Sequence, residues 1–223
     1  MDWSPLWLSL RVAFIATAAS TLLGILAAYL LSHYRFWGRN LLEAAVTLPL
    51  VLPPTVLGYY LLILLGRESF LGGIYERLMG KPLVFTIQAA ILAAMLHAAP
   101  LLIKSAHAAI ESVDHVYEKA ARTLGAPEWL IFFRISLPLA WRSILAAAIL
   151  AFARAMGDFG ITLMVAGNIP GKTQTVAVAI YDAVEAGNAA LARSLVLAIS
   201  GVTIIILLLA NRFGTGFSWR TER

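Results

Sequence analysis

Two opposite charges stand four residues apart in the mostly apolar stretch AFARAMGDFG, residues 151–160: Arg154 and Asp158. Residues four apart share one face of a helix, so the spacing predicts an ion pair. Each charge at the centre of a bilayer costs roughly 2.5 to 3.5 kcal/mol, which argues that neither side chain faces lipid. The pair either lines or gates a path across the membrane or fixes helix packing, and the sequence leaves both interpretations open.

A second candidate pathway element is the proline-rich stretch LPLVLPPTVLGYYLL, residues 48–62. Pro49, Pro53 and Pro54 remove three backbone donors within a short segment, which predicts kinks or a broken helix. Broken helices often line transport paths, and Thr47 and Thr55 lie close by. Prolines also occur in inert membrane helices, so Thr47, Pro53, Pro54 and Thr55 are candidates for the pathway only.

The remaining polar residues do not suggest an enzyme. Gln88 and His97 are expected to form hydrogen bonds between helices, since no carboxylate stands at helical spacing from His97. The segment GNIPGKT, residues 167–173, has three residues between its glycines where a phosphate-binding loop needs four. With no cysteine and no metal or nucleophile motif, we expect no catalytic residue, no metal site and no cofactor bound by this chain.

The composition indicates an integral membrane protein. Hydrophobic residues make up 61% of the 223 residues, charged residues 13%, and the mean hydropathy is +0.83. A span needs about 20 mostly apolar residues. Five segments satisfy this requirement: residues 6–32, 43–65, 83–106, 140–166 and 192–211. We therefore predict an all-α integral membrane fold with five transmembrane helices, and a short helix in the loop after the fourth span.

The distribution of basic residues predicts the orientation of the spans. With the N-terminus outside, ten basic residues lie on the inner side (Arg35, Arg39, Lys104, Lys119, Arg122, Arg134, Arg142, Arg212, Arg220 and Arg223) and five on the outer side (Arg67, Arg77, Lys81, Lys172 and Arg193). The positive-inside rule favours this arrangement. It places the polar block EKAARTLGAPEWLIFFRISLPLAW, residues 118–141, in the cytoplasm.

This block predicts two helices joined by a sharp turn. Residues 114–124 favour a helix, and Gly125 is suited to end it in a left-handed conformation. Pro127 and Glu128 can open a second helix, and Pro138 precedes the next span. Ala120 and Ala121 leave a smooth face for a partner, whereas residues 130–133 give the second helix an apolar face to pack beneath the bundle.

The block resembles the cytoplasmic signature of the membrane-spanning permease subunits of ATP-binding-cassette (ABC) importers. That signature reads glutamate-alanine-alanine, three residues, glycine, nine residues, isoleucine, one residue, leucine-proline. Six positions match it: Ala120, Ala121, Gly125, Ile135, Leu137 and Pro138. Lys119 occupies the glutamate position and Glu118 stands one residue earlier, about 100° around the helix. The resemblance implies a type I importer fold in which residues 111–138 form the coupling loop, with the contact made by Glu118 or by Lys119.

The proline-rich stretch, EKAARTLGA, AFARAMGDFG and NIPGKTQT together resemble the molybdate-importer permeases. This resemblance implies a single permease domain over residues 1–223 in the cytoplasmic membrane, working as a homodimer surrounded by lipid. An ABC ATPase dimer that uses ATP and Mg²⁺ and an extracytoplasmic oxyanion-binding protein are the implied partners, and no nucleic acid is expected. Tungstate and sulfate or thiosulfate importers are alternatives, and an intramembrane enzyme or scaffold using Arg154, Asp158 and His97 is the rival interpretation.

Overall fold

The computed structural model describes residues 3–33 and 37–213, and these residues form a helical bundle. The helices are α1 (Ser4–His33), α2 (Arg39–Val51), α3 (Pro54–Leu65), α4 (Phe70–Met79), α5 (Ile87–Glu111), α6 (His115–Thr123), α7 (Glu128–Ile131), α8 (Leu137–Met156), α9 (Gly160–Ala166), α10 (Val176–Glu185) and α11 (Ala189–Phe213). A π-helical segment, Phe132–Ser136, joins α7 to α8 without interruption. Arg35, Arg220 and Arg223, which enter the orientation argument, lie outside the described residues.

Four stretches in the described part of the chain are long and apolar enough to cross a membrane: Ser4–Leu31, Ile87–Glu111, Glu128–Met156 and Ala189–Arg212. A fifth is the pair α2 and α3, which are bent by 118° at a break. The helix break predicted from Pro53 and Pro54 is therefore confirmed. The five-span prediction holds if this bent pair is one span.

The fourth predicted span, residues 140–166, is not one helix. Its helix starts earlier, at Glu128, and ends at Met156, and a separate helix α9 begins at Gly160. The break contains Gly157, whose conformational freedom weakens a helix. Hydropathy does not register such a break, because the residues on both sides of it remain apolar.

The core is made by small side chains that let helices approach closely. Along the interface of α1 and α5, Ala13, Ala16, Ala90 and Ala94 are fully buried. Where two apolar helices meet in a membrane, alanine and glycine allow dense backbone packing. The buried alanines of the central helix α5 therefore allow neighbouring helices to pack closely against it.

The two ends of α1 show which loops share a side. Near its start, the Ser9 hydroxyl accepts a hydrogen bond of 2.8 Å from the Val176 N–H at the beginning of α10. Near its end, the rings of Tyr29 and Phe132 lie 4.7 Å apart, centroid to centroid. The polar block and the loop that carries α10 therefore lie at opposite ends of the bundle, as the span order requires. Which end is cytoplasmic stays a prediction from the basic residues.

Candidate coupling loop and membrane pathway

The turn between α6 and α7 has the geometry expected from its glycine. Gly125 has φ of +77°, and its N–H donates to the Arg122 carbonyl at 3.0 Å. The Ala126 N–H donates to the Ala121 carbonyl at 3.1 Å, which completes a Schellman motif. A β-carbon added at Gly125 would meet nothing within 4 Å, so glycine is required by the backbone conformation and not by space.

A surface ion pair closes this turn. The Arg122 guanidinium donates to both carboxylate oxygens of Glu128, at 2.6 and 3.0 Å. The hydrogen bond to Glu128 raises the pKa of Arg122 above its ordinary value. Arg122 comes from the last turn of α6 and Glu128 from the first turn of α7, so this bidentate contact links the two helices across the turn.

Much of the surface of the α6–α7 element is exposed. Lys119 and Ala120 are exposed, Ala121 is half-buried, and Leu124 and Trp129 are 87% and 58% exposed. Exposed large apolar side chains mark surfaces that contact either another protein or the membrane. We call this the open face: Lys119, Ala120, Ala121, Leu124 and Trp129.

Glu118 does not belong to the open face. Its side chain is buried, and its Oε1 accepts a hydrogen bond of 2.7 Å from the Ser136 hydroxyl, which is also buried. Sequence reasoning grouped Glu118 with the partner-facing residues because it could not decide which way the carboxylate points. Ser136 was missed altogether, and its only signal was a small polar residue within the apolar run FFRISLPL.

The three remaining signature residues lie where the loop joins the membrane helix. Ile135 and Leu137 are half-buried, whereas Pro138 is exposed inside a continuous helix. The sequence placed Pro138 before the fourth span, whereas in the structure it lies within the continuous helical stretch Glu128–Met156. The π segment explains why: the Leu137 N–H donates to the Phe132 carbonyl, five residues back, and this wider turn accommodates a proline that lacks a donor.

The prediction for Arg154 and Asp158 is wrong in its central point, because the two side chains form no ion pair. Arg154 is exposed near the end of α8, and its Nε donates to the His97 carbonyl at 3.2 Å. Asp158 follows the end of α8, so the helical spacing on which the pair depended does not apply.

Asp158 instead caps the helix that follows it. Its Oδ2 accepts hydrogen bonds from the backbone N–H of Thr162, at 3.1 Å, and from the Thr162 hydroxyl. Its Oδ1 lies 4.0 Å from Nδ1 of His97 on α5. The structure therefore brings together Arg154, Asp158 and His97, which the sequence grouped only in the rival interpretation of an intramembrane enzyme or scaffold.

The two helix breaks lie against each other. A β-carbon placed on Gly160, at the start of α9, would lie 3.0 Å from Cβ of Pro54, at the start of α3. One placed on Gly58 would lie 2.8 Å from Cβ of Met164. The glycines therefore allow α3 and α9 to pack closely, directly beside the Asp158 cap.

The other pathway candidates surround the first break. Pro53, Pro54 and Thr55 are exposed, and Thr47 is half-buried in α2 with its hydroxyl donating to the Glu43 carbonyl at 2.6 Å. Thr47 also lines a cleft of about 630 Å³ between α2 and α5. These residues stay candidates for the pathway. Within the described residues, no group of three or more histidine, cysteine or carboxylate side chains is placed to hold a metal ion.

A bundle of apolar helices with two adjoining helix breaks and an exposed helix–turn–helix at one end is the arrangement expected of a membrane transport subunit. Residues 20–223 match the family model described as "Binding-protein-dependent transport system inner membrane component", and the chain belongs to that family. It is thus a multi-pass inner membrane permease of an ABC transporter. The predictions of permease class and of a transport subunit without catalytic activity of its own are confirmed.

Individual relatives and solved structures agree with this assignment. The chain is 40% identical over 209 residues to the molybdenum transport system permease protein ModB of Escherichia coli (strain K12), covering 93% of this chain and 91% of that protein. It is 32% identical over 202 residues to the sulfate transport system permease protein CysW of Synechococcus elongatus, covering 91% of this chain and 70% of that protein.

Two solved structures show the fold. A chain of a bacterial alginate ABC transporter, solved in complex with a pentasaccharide-bound periplasmic protein, matches with a TM-score of 0.73 at 15% identity, covering 95% of this chain and 77% of that one. A chain of the MetNI methionine ABC transporter in an inward-facing conformation matches with a TM-score of 0.71 at 18% identity. The match covers 93% of this chain and 92% of that one. The predicted type I importer permease fold is confirmed. An ATPase and a binding protein are the partners that this family implies.

Proposed function

We propose that this chain is the membrane subunit of an ATP-driven importer of a tetrahedral oxyanion, with molybdate as the substrate. The 40% identity with a molybdenum permease over 93% of the chain carries the choice of anion. Sulfate permeases are more distant, at 32% identity. Tungstate remains the alternative, because it has the same shape and charge as molybdate.

Two copies of the chain form the pathway, and a binding protein delivers the anion at the end that carries α10. The chain offers four long spans and one bent pair, which is half of a two-sided conduit. Thr47, Pro53, Pro54 and Thr55 lie at the first break, and Arg154 and Asp158 lie at the second. In this proposal the adjoining breaks form the gate, with Arg154 as its exposed cation and the Asp158 cap holding α9 in place.

The open face is the docking site of the ATPase dimer. The observation that carries this proposal is that Ala120, Leu124 and Trp129 are exposed while the turn between them is held by Gly125 and by the Arg122–Glu128 pair. An ATPase groove can approach alanines closely and bury the two large side chains. Lys119 lies beside them as a charged contact, and Ile135, Leu137 and Pro138 connect the docked element to α8.

The experiment is ATP hydrolysis by the complex reconstituted with its ATPase and binding protein. Molybdate should stimulate hydrolysis more strongly than sulfate, and Ala120→Glu should abolish both the stimulation and co-purification of the ATPase. Lys81→Glu, an exposed change at the other end of the bundle, is the control for docking and should leave co-purification of the ATPase at the wild-type level. Stimulation by sulfate alone would refute the choice of anion, and full activity of Ala120→Glu would refute the docking site.

A further inference from the structure

Glu118 is a buried carboxylate on a helix that is otherwise largely exposed. It is 8% exposed, whereas Val116 and Tyr117 immediately before it are 64% and 56% exposed. A carboxylate withdrawn from water is costly unless it is paired and hydrogen-bonded. The buried Glu118 carboxylate must therefore have hydrogen-bonding or charged partners within the chain.

The partners of Glu118 link three elements. The Ser136 hydroxyl donates to Oε1 at 2.7 Å from the π segment, 18 residues further along the chain. Oε2 lies 3.6 Å from a guanidinium nitrogen of Arg122 and 3.4 Å from Nδ1 of His115, both on α6. Because Arg122 also holds Glu128 on α7, one chain of polar contacts joins α6, α7 and the π segment.

The position of Ser136 gives this chain of contacts a direction. Ser136 is the last residue of the π segment, and α8 continues from it to Met156, where the second break begins. A π segment is a point at which a helix can change its winding. Through Glu118, a displacement of α6 would reach the base of the helix whose other end lies at the proposed gate.

We propose that the Glu118–Ser136 hydrogen bond is a strut that transmits movement of the docked α6 to α8, and that Glu118 is a positioning residue and not a contact of the ATPase. This inference rests on the proposed function. It assigns docking to the open face and transmission to the buried pair, which makes the two separable by mutation.

Ser136→Ala is the decisive variant, because the fully buried Ser136 side chain cannot touch a docked ATPase. We expect wild-type co-purification of the ATPase and wild-type basal ATP hydrolysis. The anion-stimulated part of hydrolysis should fall about tenfold, which corresponds to about 1.4 kcal/mol. Ser143→Ala, an exposed serine on α8, is the matched control and should behave as wild type.

Two further variants test whether the two residues act together. Glu118→Ala should show the same loss of stimulation with docking retained, and the double variant Glu118→Ala with Ser136→Ala should be no worse than either single one. Glu118→Gln keeps an acceptor for the hydroxyl and should retain most of the stimulation. If Ser136→Ala does not insert, Glu118→Ala carries the test.

The outcomes separate this inference from the function on which it rests. Failure of the wild-type chain to retain the ATPase would refute the docking proposal. Wild-type retention of the ATPase together with undiminished stimulation in Ser136→Ala would overturn the strut alone. Loss of ATPase co-purification in Glu118→Ala would also overturn it, because Glu118 would then be a docking residue.

Discussion

At the scale of single residues, Asp158 stabilises the start of α9. Its Oδ2 accepts both the backbone and the side-chain hydrogen bond of Thr162, and the carboxylate is 3% exposed. A side chain that satisfies a free N–H at a helix start contributes typically about 1 kcal/mol. Arg154 has a different role, since its Nε donates a hydrogen bond to the His97 carbonyl and it forms no ion pair with Asp158.

Asp158→Ala should lower the free energy of unfolding by about 1 to 3 kcal/mol, since it removes the cap and leaves Thr162 without its buried acceptor. Combining Asp158→Ala with Thr162→Val should lower the stability by less than the sum of the two single losses, because the two residues share their hydrogen bonds. Combining Asp158→Ala with Arg154→Gln should give the sum of the two single losses to within about 0.5 kcal/mol. Thermal unfolding of the detergent-solubilised protein measures all three. Stronger coupling of Asp158 to Arg154 than to Thr162 would contradict the assignment.

Residue-level prediction succeeded where one residue's own conformation decides the outcome. Gly125 was identified because a left-handed helix end requires a glycine, whatever surrounds it, and the structure has φ of +77° there. It did not foresee the direction of the Glu118 carboxylate, which depends on Ser136, and it was wrong about an Arg154–Asp158 ion pair, because a helix break separates the two residues. Such contacts between elements leave no trace in local spacing.

At the scale of elements, hydrogen bonds and an ion pair join α6, the turn and α7. The turn combines a Schellman motif with the bidentate Arg122–Glu128 pair, and Asp114 caps the start of α6 by accepting the Val116 N–H at 2.9 Å. A helix–turn–helix held by such contacts can move as one body when its partner moves, whereas a flexible loop would change its own conformation instead. The open face and the strut are both carried by this unit.

Gly125→Val should leave the spans inserted while it abolishes transport, because a β-branched residue strongly disfavours positive φ and the α6–α7 angle would change. Gly80→Val is the matched control. Gly80 has φ of +68°, and no atom lies within 4 Å of an added β-carbon, but it sits at the other end of the bundle. Both variants should lose about 1 to 2 kcal/mol of stability, and only Gly125→Val should lose transport. Equal transport by the two variants would end the coupling interpretation.

Prediction of elements from sequence was accurate for the proline break and inaccurate for the glycine break. Pro53 and Pro54 cannot complete a helix, so a break follows from their chemistry alone. Gly157 permits a break without requiring one, and the packing of Gly160 on Pro54 belongs to the tertiary structure. The long apolar helices were the easiest to predict, because length and composition suffice.

At the scale of the whole molecule, the proposed function makes the chain one half of a gated conduit. The polar block and the α10 loop lie at opposite ends, the breaks lie between them, and α2 has no buried residue in its described span Arg39–Val51. In the proposed dimer, α2 would be covered by the second copy. The dimer, the gate and the docking face form one account of ATP-driven uptake.

The most direct measurement of that account is accumulation of labelled molybdate in proteoliposomes that contain this chain and its ATPase, with ATP inside and the binding protein outside. We expect accumulation above the external concentration that requires both ATP and the binding protein, that exceeds sulfate accumulation, and that is lost in Gly125→Val but not in Gly80→Val. Molybdate uptake that proceeds equally without ATP, or equally in Gly125→Val, would contradict the account.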